Sequence, residues 1–187
     1  MSTPPILLDF PDWFASERLV IRAPRAGDGR AIHEAIVESL DELRPWMPWS
    51  HLEQSVETAE AYAREAHAAF AARRNLHLNL YLRDGATYVG GSGLHDIDWA
   101  IPRFEIGYWV RSSMTGHGYA TEAARRIAQY AFEDLRAQRV EIWCDARNER
   151  SAAVARRAGF TLEARLEHNR LGADGVLSDS LCFVRLR

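Results

Sequence analysis

The sequence predicts an α/β fold of the α+β kind, a mostly antiparallel mixed sheet with one parallel strand pair and flanking helices. Three observations predict it. Two amphipathic helical patterns precede three consecutive strand patterns, the first two joined by a turn at Arg83 to Gly85. A strand, helix, strand step then crosses the helical pattern that starts at Tyr119, and such a crossover sets its two strands parallel. Two further segments close the chain as a hairpin around Leu171 to Gly175.

In chain order, residues 1–16 read as an N-terminal arm that could pack through Ile6, Leu7, Phe10, Trp13 and Phe14, on its own core or on a second subunit. Arg18 to Arg22 alternates polar and apolar, the signature of a strand. Asp28 is a candidate cap for a helix whose apolar positions Ile32, Ala35, Ile36 and Leu40 share a face. Prolines 45 and 48 then break regularity around Trp46 and Trp49. Ser55 can cap a longer helix with Val56, Ala59, Tyr62, Ala66 and Phe70 as its buried stripe. Strands are expected over Leu76 to Leu82, Tyr88 to His95 and Arg103 to Val110. A helix follows from Tyr119 to about Leu135, then a strand from Val140 to Cys144. A short helix from Ser151 to Ala158 stops at Gly159, and strands from Thr161 to Asn169 and Leu177 to Leu186 end the chain. With no linker, repeat or low-complexity stretch, residues 1–187 read as one domain.

Hydrophobic content of 47% and charged content of 26% fit a globular protein with a substantial core. A net charge of −3 argues against duplex nucleic acid as the main partner. No apolar run is long enough to span a bilayer, and no basic segment precedes the short apolar run of the N-terminus. A cytoplasmic location is therefore expected. Cys144 and Cys182 lack metal-ligand spacing, so reduced thiols and no metal site are expected.

The most informative stretch runs from Glu105 to Ala124. It reads as a strand, a loop carrying Gly116 and Gly118, and the start of a helix. Glycines leave the loop N–H groups unguarded, and the helix start adds its own unpaired donors and the positive end of its dipole. Together these make an anion site, most often for phosphate. The plain alternative is a tight turn needing positive φ. A dinucleotide fingerprint, with Asp145 as the ribose ligand, is a rival, but its sixth position here is Thr121 and its surroundings read as hairpins.

A second signal lies one strand downstream, in Asn148, Ser151, Val154, Gly159 and Phe160. With the Trp46 to Trp49 loop and the Glu105 to Ala123 segment, it resembles the GNAT superfamily of acyl-coenzyme A N-acyltransferases, in its ribosomal-protein N-terminal acetyltransferase branch of RimJ and RimL type. The resemblance runs from about residue 16 to the C-terminus. It implies a splay between the strands Glu105 to Val110 and Val140 to Cys144 that admits the pantetheine arm of acetyl-CoA. It implies that the Val110 N–H polarises the thioester carbonyl, and that Thr115, Gly116, His117, Gly118, Tyr119 and Ala120 hold the pyrophosphate. Thr115 stands where the superfamily usually has Arg or Gln.

The acceptor implied is a primary amine, a protein N-terminal α-amine by resemblance or a small molecule such as an antibiotic or aminoacyl nucleotide. A non-catalytic domain that senses coenzyme A is a further alternative. Glu105 is the candidate base, since an ammonium must lose a proton before it attacks; otherwise it is a surface glutamate beside Arg103. Ser151 is the candidate acid for the departing thiolate; otherwise it caps its helix. The Tyr that many superfamily members use there is Ala155 in this chain. Asn148 starts that helix or contacts the coenzyme arm. A second catalytic Glu in some RimL-like enzymes aligns with Arg170. Cys144 lines the thioester pocket or serves as a small buried hydrophobe. Trp46 and Trp49 are candidate acceptor-site walls, and His33, His51, His67, His77 and His95 show no metal spacing and read as surface or packing residues.

Overall fold

A computed structural model describes residues 4–187, so the first three residues of the expected arm lie outside the described residues. Eight strands form one sheet in the order β1-β2-β3-β4-β5-β6-β8-β7. The strands are β1 (Trp13–Ala15), β2 (Leu19–Arg22), β3 (Leu76–Leu82), β4 (Tyr88–Asp98), β5 (Arg103–Val110), β6 (Arg139–Asp145), β7 (Thr161–Leu171) and β8 (Leu177–Leu186). Neighbours pair antiparallel throughout, except for the parallel step between β5 and β6. The helices are α1 (Gly29–Glu38), α2 (Leu40–Leu43), α3 (Val56–Ala71), α4 (Tyr119–Glu133) and α5 (Glu149–Arg157).

Because strand side chains alternate between faces, the sheet presents two cores. Tyr81 and Tyr88 pack with Ile32, Ile36, Ala59 and Ala63 under α1 and α3. Leu78, Leu80, Phe104, Ile106, Val140 and Phe183 turn to the other face, against α4 and α5. Small residues on α4, Ala123, Ala124, Ala128 and Ala131, let that helix lie close to the sheet. Among the described residues, no helix is long and apolar enough to cross a membrane.

Several expectations change in detail. In the arm, Phe14 is buried and stacks on Tyr130 at 4.3 Å, and Phe10 meets Phe70 and Trp99, but Ile6, Leu7 and Trp13 are exposed. Asp28 precedes α1 without capping it; its carboxylate instead takes Arg22, Asn79 and Tyr81. Ser55 does cap α3, in a reciprocal arrangement with Thr58. Tyr62 is 44% exposed rather than buried, because it faces a cavity. The α5 helix begins two residues earlier than expected, and its cap is Asn148, whose side chain accepts from the Ser151 N–H.

Candidate active site

The parallel ladder is short. Arg103, Phe104 and Glu105 pair with Arg139, Val140 and Glu141. Beyond that, β5 follows β4 as far as Val110 opposite Gly90, while β6 follows β8 as far as Asp145 opposite Ser180. The two strands therefore part directly after Glu105. A cavity of about 240 Å³ opens between them, lined among others by Trp46, Glu105, Tyr108, Cys144, Ser151 and Arg170. The Arg111 N–H donates to Val89 O. Antiparallel pairing alternates every residue, so the N–H of Val110 points to the opposite edge, into the gap.

At the far end of β5 the chain reaches the glycine loop. Gly116 and Gly118 both sit at φ +80°, the left-handed region that glycine enters without strain. Gly118 is the residue before α4 and offers no side-chain cap. The N–H groups of Gly116, His117, Gly118, Tyr119 and Ala120 donate to no protein acceptor among the described residues. Five free donors at the positive end of a 15-residue helix form a cradle that suits a pyrophosphate. Thr115 turns its hydroxyl back onto Ser112 O, and His117 bonds its Nδ1 to Thr115 O while its ring stacks on Tyr119. Thr115 thus shapes the loop from within. The cation at this place comes from elsewhere in the chain. Arg18 donates to His117 O, pairs with Glu122 at 2.6 Å and covers the Tyr119 ring.

Glu105 lies at the mouth of the splay with its side chain 20% exposed. Burial, then the charges of Asp96 and Glu141, push its carboxyl up to about 8. Next to it, the β4 ladder breaks its register between His95 and Asp98, and Asp96 adopts φ +46°. This irregularity aims His95 at the site. His95 Nε2 stands 3.8 Å from Glu105 Oε1, and Nδ1 stands 3.1 Å from Asp96. The ring thus bridges two carboxylates, one at the site and one in solvent, and the three side chains bring ligand atoms within 4.8 Å of one another, close enough to hold a metal ion. The side chain, expected as a surface or packing residue, is 38% exposed and borders the splay cavity.

On the other side of the splay, Ser151 occupies the first turn of α5. Its Oγ lies 3.0 Å from the Tyr108 hydroxyl, which also donates to Ser151 O. Burial pushes the Tyr108 phenol up to about 12 and raises the Cys144 thiol. Both Cys144 and Cys182 are buried free thiols. Arg170 reaches the same cavity, and its Nε has no hydrogen-bond partner among the described residues. Asp145 cannot serve a ribose: it is buried, held by Arg147 and Ser178, and its carboxyl is driven well below the usual range.

The two tryptophans separate. Trp46 lines the splay cavity, whereas Trp49 lines a second cavity of about 480 Å³ on the α1 and α3 side. Met47, His95, Gly107 and Tyr108 border both spaces. Tyr108 and His95 are the residues that sequence reasoning missed. Alternation along β5 gives Tyr108 the parity of the buried Phe104 and Ile106, and nothing in the pattern joins it to a serine 43 residues away.

The GNAT acetyltransferase domain family matches residues 18–161. YdaF of Bacillus subtilis (strain 168), a protein provisionally named a ribosomal N-acetyltransferase, is 31% identical, covering 92% of this chain and 93% of its own length. RimJ of Mycobacterium smegmatis, solved in complex with CoA-disulfide, superposes with a TM-score of 0.82 at 26% identity, covering 90% of this chain and 81% of that one. The Microcin C7 self immunity acetyltransferase MccE, solved in complex with acetyl-CoA and AMP, shares the fold with a TM-score of 0.84 at 21% identity, over 92% and 94% of the two chains. The chain belongs to the GNAT family and is an N-acetyltransferase.

Proposed function

We propose that the protein acetylates a primary amine at the expense of acetyl-CoA, in the cytoplasm and as a single catalytic unit, with a protein N-terminal α-amine of the ribosomal-protein type as acceptor. One observation carries the reading: a carboxylate held near neutrality, Glu105, stands where β5 and β6 part, with the Ser151 hydroxyl across the same cavity. Acetyl-CoA supplies an activated thioester and a good leaving group. The free N–H groups of Gly116 to Ala120 hold its pyrophosphate, and Val110 offers a backbone donor to the thioester carbonyl.

Glu105 takes the proton of the incoming ammonium, a task suited to a carboxyl whose pKa lies near working pH. Ser151 returns a proton to the sulfur, with Tyr108 behind it. Asn148 fixes the start of α5 and so the position of Ser151. Trp46 and Trp49 wall the two cavities, which share Met47, His95, Gly107 and Tyr108 as a border. Holding amine and thioester together accounts for much of the remaining rate. The name of YdaF, that of a ribosomal N-acetyltransferase, supports a ribosomal-protein acceptor, and MccE, solved with acetyl-CoA and AMP, supports a small-molecule acceptor as second reading. Calorimetry with acetyl-CoA, and NADH as control, is the test. Binding of neither ligand, or of NADH alone, defeats the reading.

A further inference from the structure

The larger cavity differs from the splay in kind. Its walls are Trp49 and Trp109, 6.0 Å apart between ring centres, with Tyr88 6.0 Å from Trp109 and Tyr62 packed edge-on against His77. Ile32 and Ile36 close the helix side. The sheet floor is made of glycine. A Cβ at Gly91 would stand 2.6 Å from Trp109 Nε1, so its absence lets the indole lie flat over β4.

The charges here are one-sided. Among the described residues, no Arg or Lys lines this space. Its titratable groups are Glu53, Tyr62, His77, Tyr88, His95 and Tyr108, with Glu105 lining the adjoining splay cavity. Burial and the neighbouring His95 lower the His77 pKa, which favours its neutral form. A phosphate or carboxylate placed here would lose its water and gain no cation. A cationic amine entering from this side meets Glu105 as it reaches the splay.

Resting on the acetyl-transfer reading, we infer that this cavity receives the group attached to the acceptor amine, and that this group is aromatic or bulky aliphatic and carries no anion. A cavity of roughly 150 Å³ already holds a benzene ring, and this one, at about 480 Å³, takes an indole or phenyl with its linker. Seryl or alanyl termini leave most of it unfilled. Nucleotide conjugates fit its size but not its charge. Both small arylalkylamines and polypeptides with an apolar first residue present this chemistry.

The test uses the whole chain and acetyl-CoA labelled in the acetyl group. All 23 basic residues are arginine, so the enzyme offers no lysine amine of its own and background labelling is confined to its N-terminus. Four acceptor sets are compared by kcat/KM: tryptamine and phenethylamine; peptides beginning with Phe or Leu; peptides beginning with Ser or Ala; and a non-hydrolysable aminoacyl adenylate analogue. The first or second set should lead the others by ~10–100-fold, the usual range for filling an apolar pocket. Whichever of the two leads identifies the source. Quenching of Trp49 and Trp109 fluorescence by phenethylamine gives a readout independent of turnover, and Gln54→Arg should weaken it while improving the adenylate analogue. Acetyl-CoA binding with preference for Ser, Ala or the adenylate analogue, or with no apolar amine acetylated, overturns the inference. Failure to bind acetyl-CoA overturns instead the reading beneath it.

Discussion

The Tyr108 hydroxyl of β5 lies 3.0 Å from Oγ of Ser151 on α5, so a single contact spans the splay just beyond the last paired residues, Glu105 and Glu141. The phenol donates to Ser151 O at 3.0 Å, which leaves its oxygen free to accept from the serine hydroxyl. Ser151 is thereby held in place from both sides, by Tyr108 and by the Asn148 cap on its N–H.

Ser151→Ala should lower kcat by about 10²-fold, the lower end of what a positioned acid contributes. Tyr108→Phe should cost about tenfold, because the serine remains but loses its orientation. The double variant should be no slower than Ser151→Ala, since residues that act as one unit are not additive. Additive losses in a double-mutant cycle would show two separate roles.

Glu105 gives a pH signature in both rate and stability. As a base it must be ionised, so kcat/KM should fall about tenfold per pH unit below about 8, the value to which its carboxyl is pushed. In Glu105→Gln the rate drops and the remaining limb follows the acceptor amine alone. Stability runs the opposite way. A carboxyl with a raised folded pKa binds a proton that the unfolded chain has already released, so stability falls as pH rises from about 4.5 to about 8. Glu105→Gln should therefore be more stable than the wild type at pH 8.5, by at least about 1 kcal/mol or roughly 2–4 °C in Tm, and indistinguishable at pH 4. Equal Tm values at both pH values would contradict the burial argument.

The glycine loop separates backbone strain from contact. A Cβ at Gly116 meets nothing within 4 Å, yet its φ is +80°. Gly116→Val should thus raise the acetyl-CoA Kd about tenfold through strain on the order of 1–2 kcal/mol. Gly116→Asn, which visits the same region more readily, should lose much less. Arg18→Ala should weaken binding as well, because it frees the His117 carbonyl and Glu122. Arg18→Lys should fail to restore it, lacking the fork that serves both partners. Calorimetry on the four variants decides the matter.

How far this site was legible follows from its residues. Strands Arg103–Val110 and Leu177–Leu186 have the bounds that alternation gave them, and the Ser55 cap and the glycine loop rest on local chemistry visible in a single window. Glu105 and Ser151 were reached through the resemblance to the GNAT superfamily, on the segments that carry it. His95 was read as surface or packing because its orientation depends on the irregularity at Asp96, which no pattern announces. Tyr62 was assigned to the buried stripe of α3 because periodicity marks a face without saying whether that face meets core or cavity. The helix cap fell on Ser151 rather than Asn148 for a related reason: both are good caps, and only the backbone decides between them.

Asp28 carries a stability prediction of its own. Its buried carboxylate accepts from Arg22, Arg25 N–H, Asn79 and Tyr81 at 2.6 to 3.0 Å. Asp28→Ala would leave the Arg22 cation half-buried and unpaired, at a cost of about 3–5 kcal/mol. The donors hold its carboxyl below the ordinary value despite burial. Its contribution is thus present above about pH 4 and lost as pH falls through the folded pKa. Thermal denaturation from pH 7 to pH 3 should show the wild type converging on the variant.

The last prediction concerns the proton after Glu105 has taken it. His95 connects that carboxylate to exposed Asp96, a route from the cavity to solvent. Gly107 makes the approach possible, since a Cβ there would stand 2.8 Å from His95 Nε2. The obstructed atom is the end of a side chain, so in Gly107→Ala the ring swings away and the fold survives. Gly107→Ala and His95→Ala should therefore show the same loss of kcat, about tenfold, with Tm nearly unchanged. Imidazole in the buffer should restore part of the rate in His95→Ala, because a small diffusing base can carry the proton that the fixed ring no longer carries. A loss of rate that imidazole leaves untouched, accompanied by a fall in Tm, would reduce His95 to a packing role.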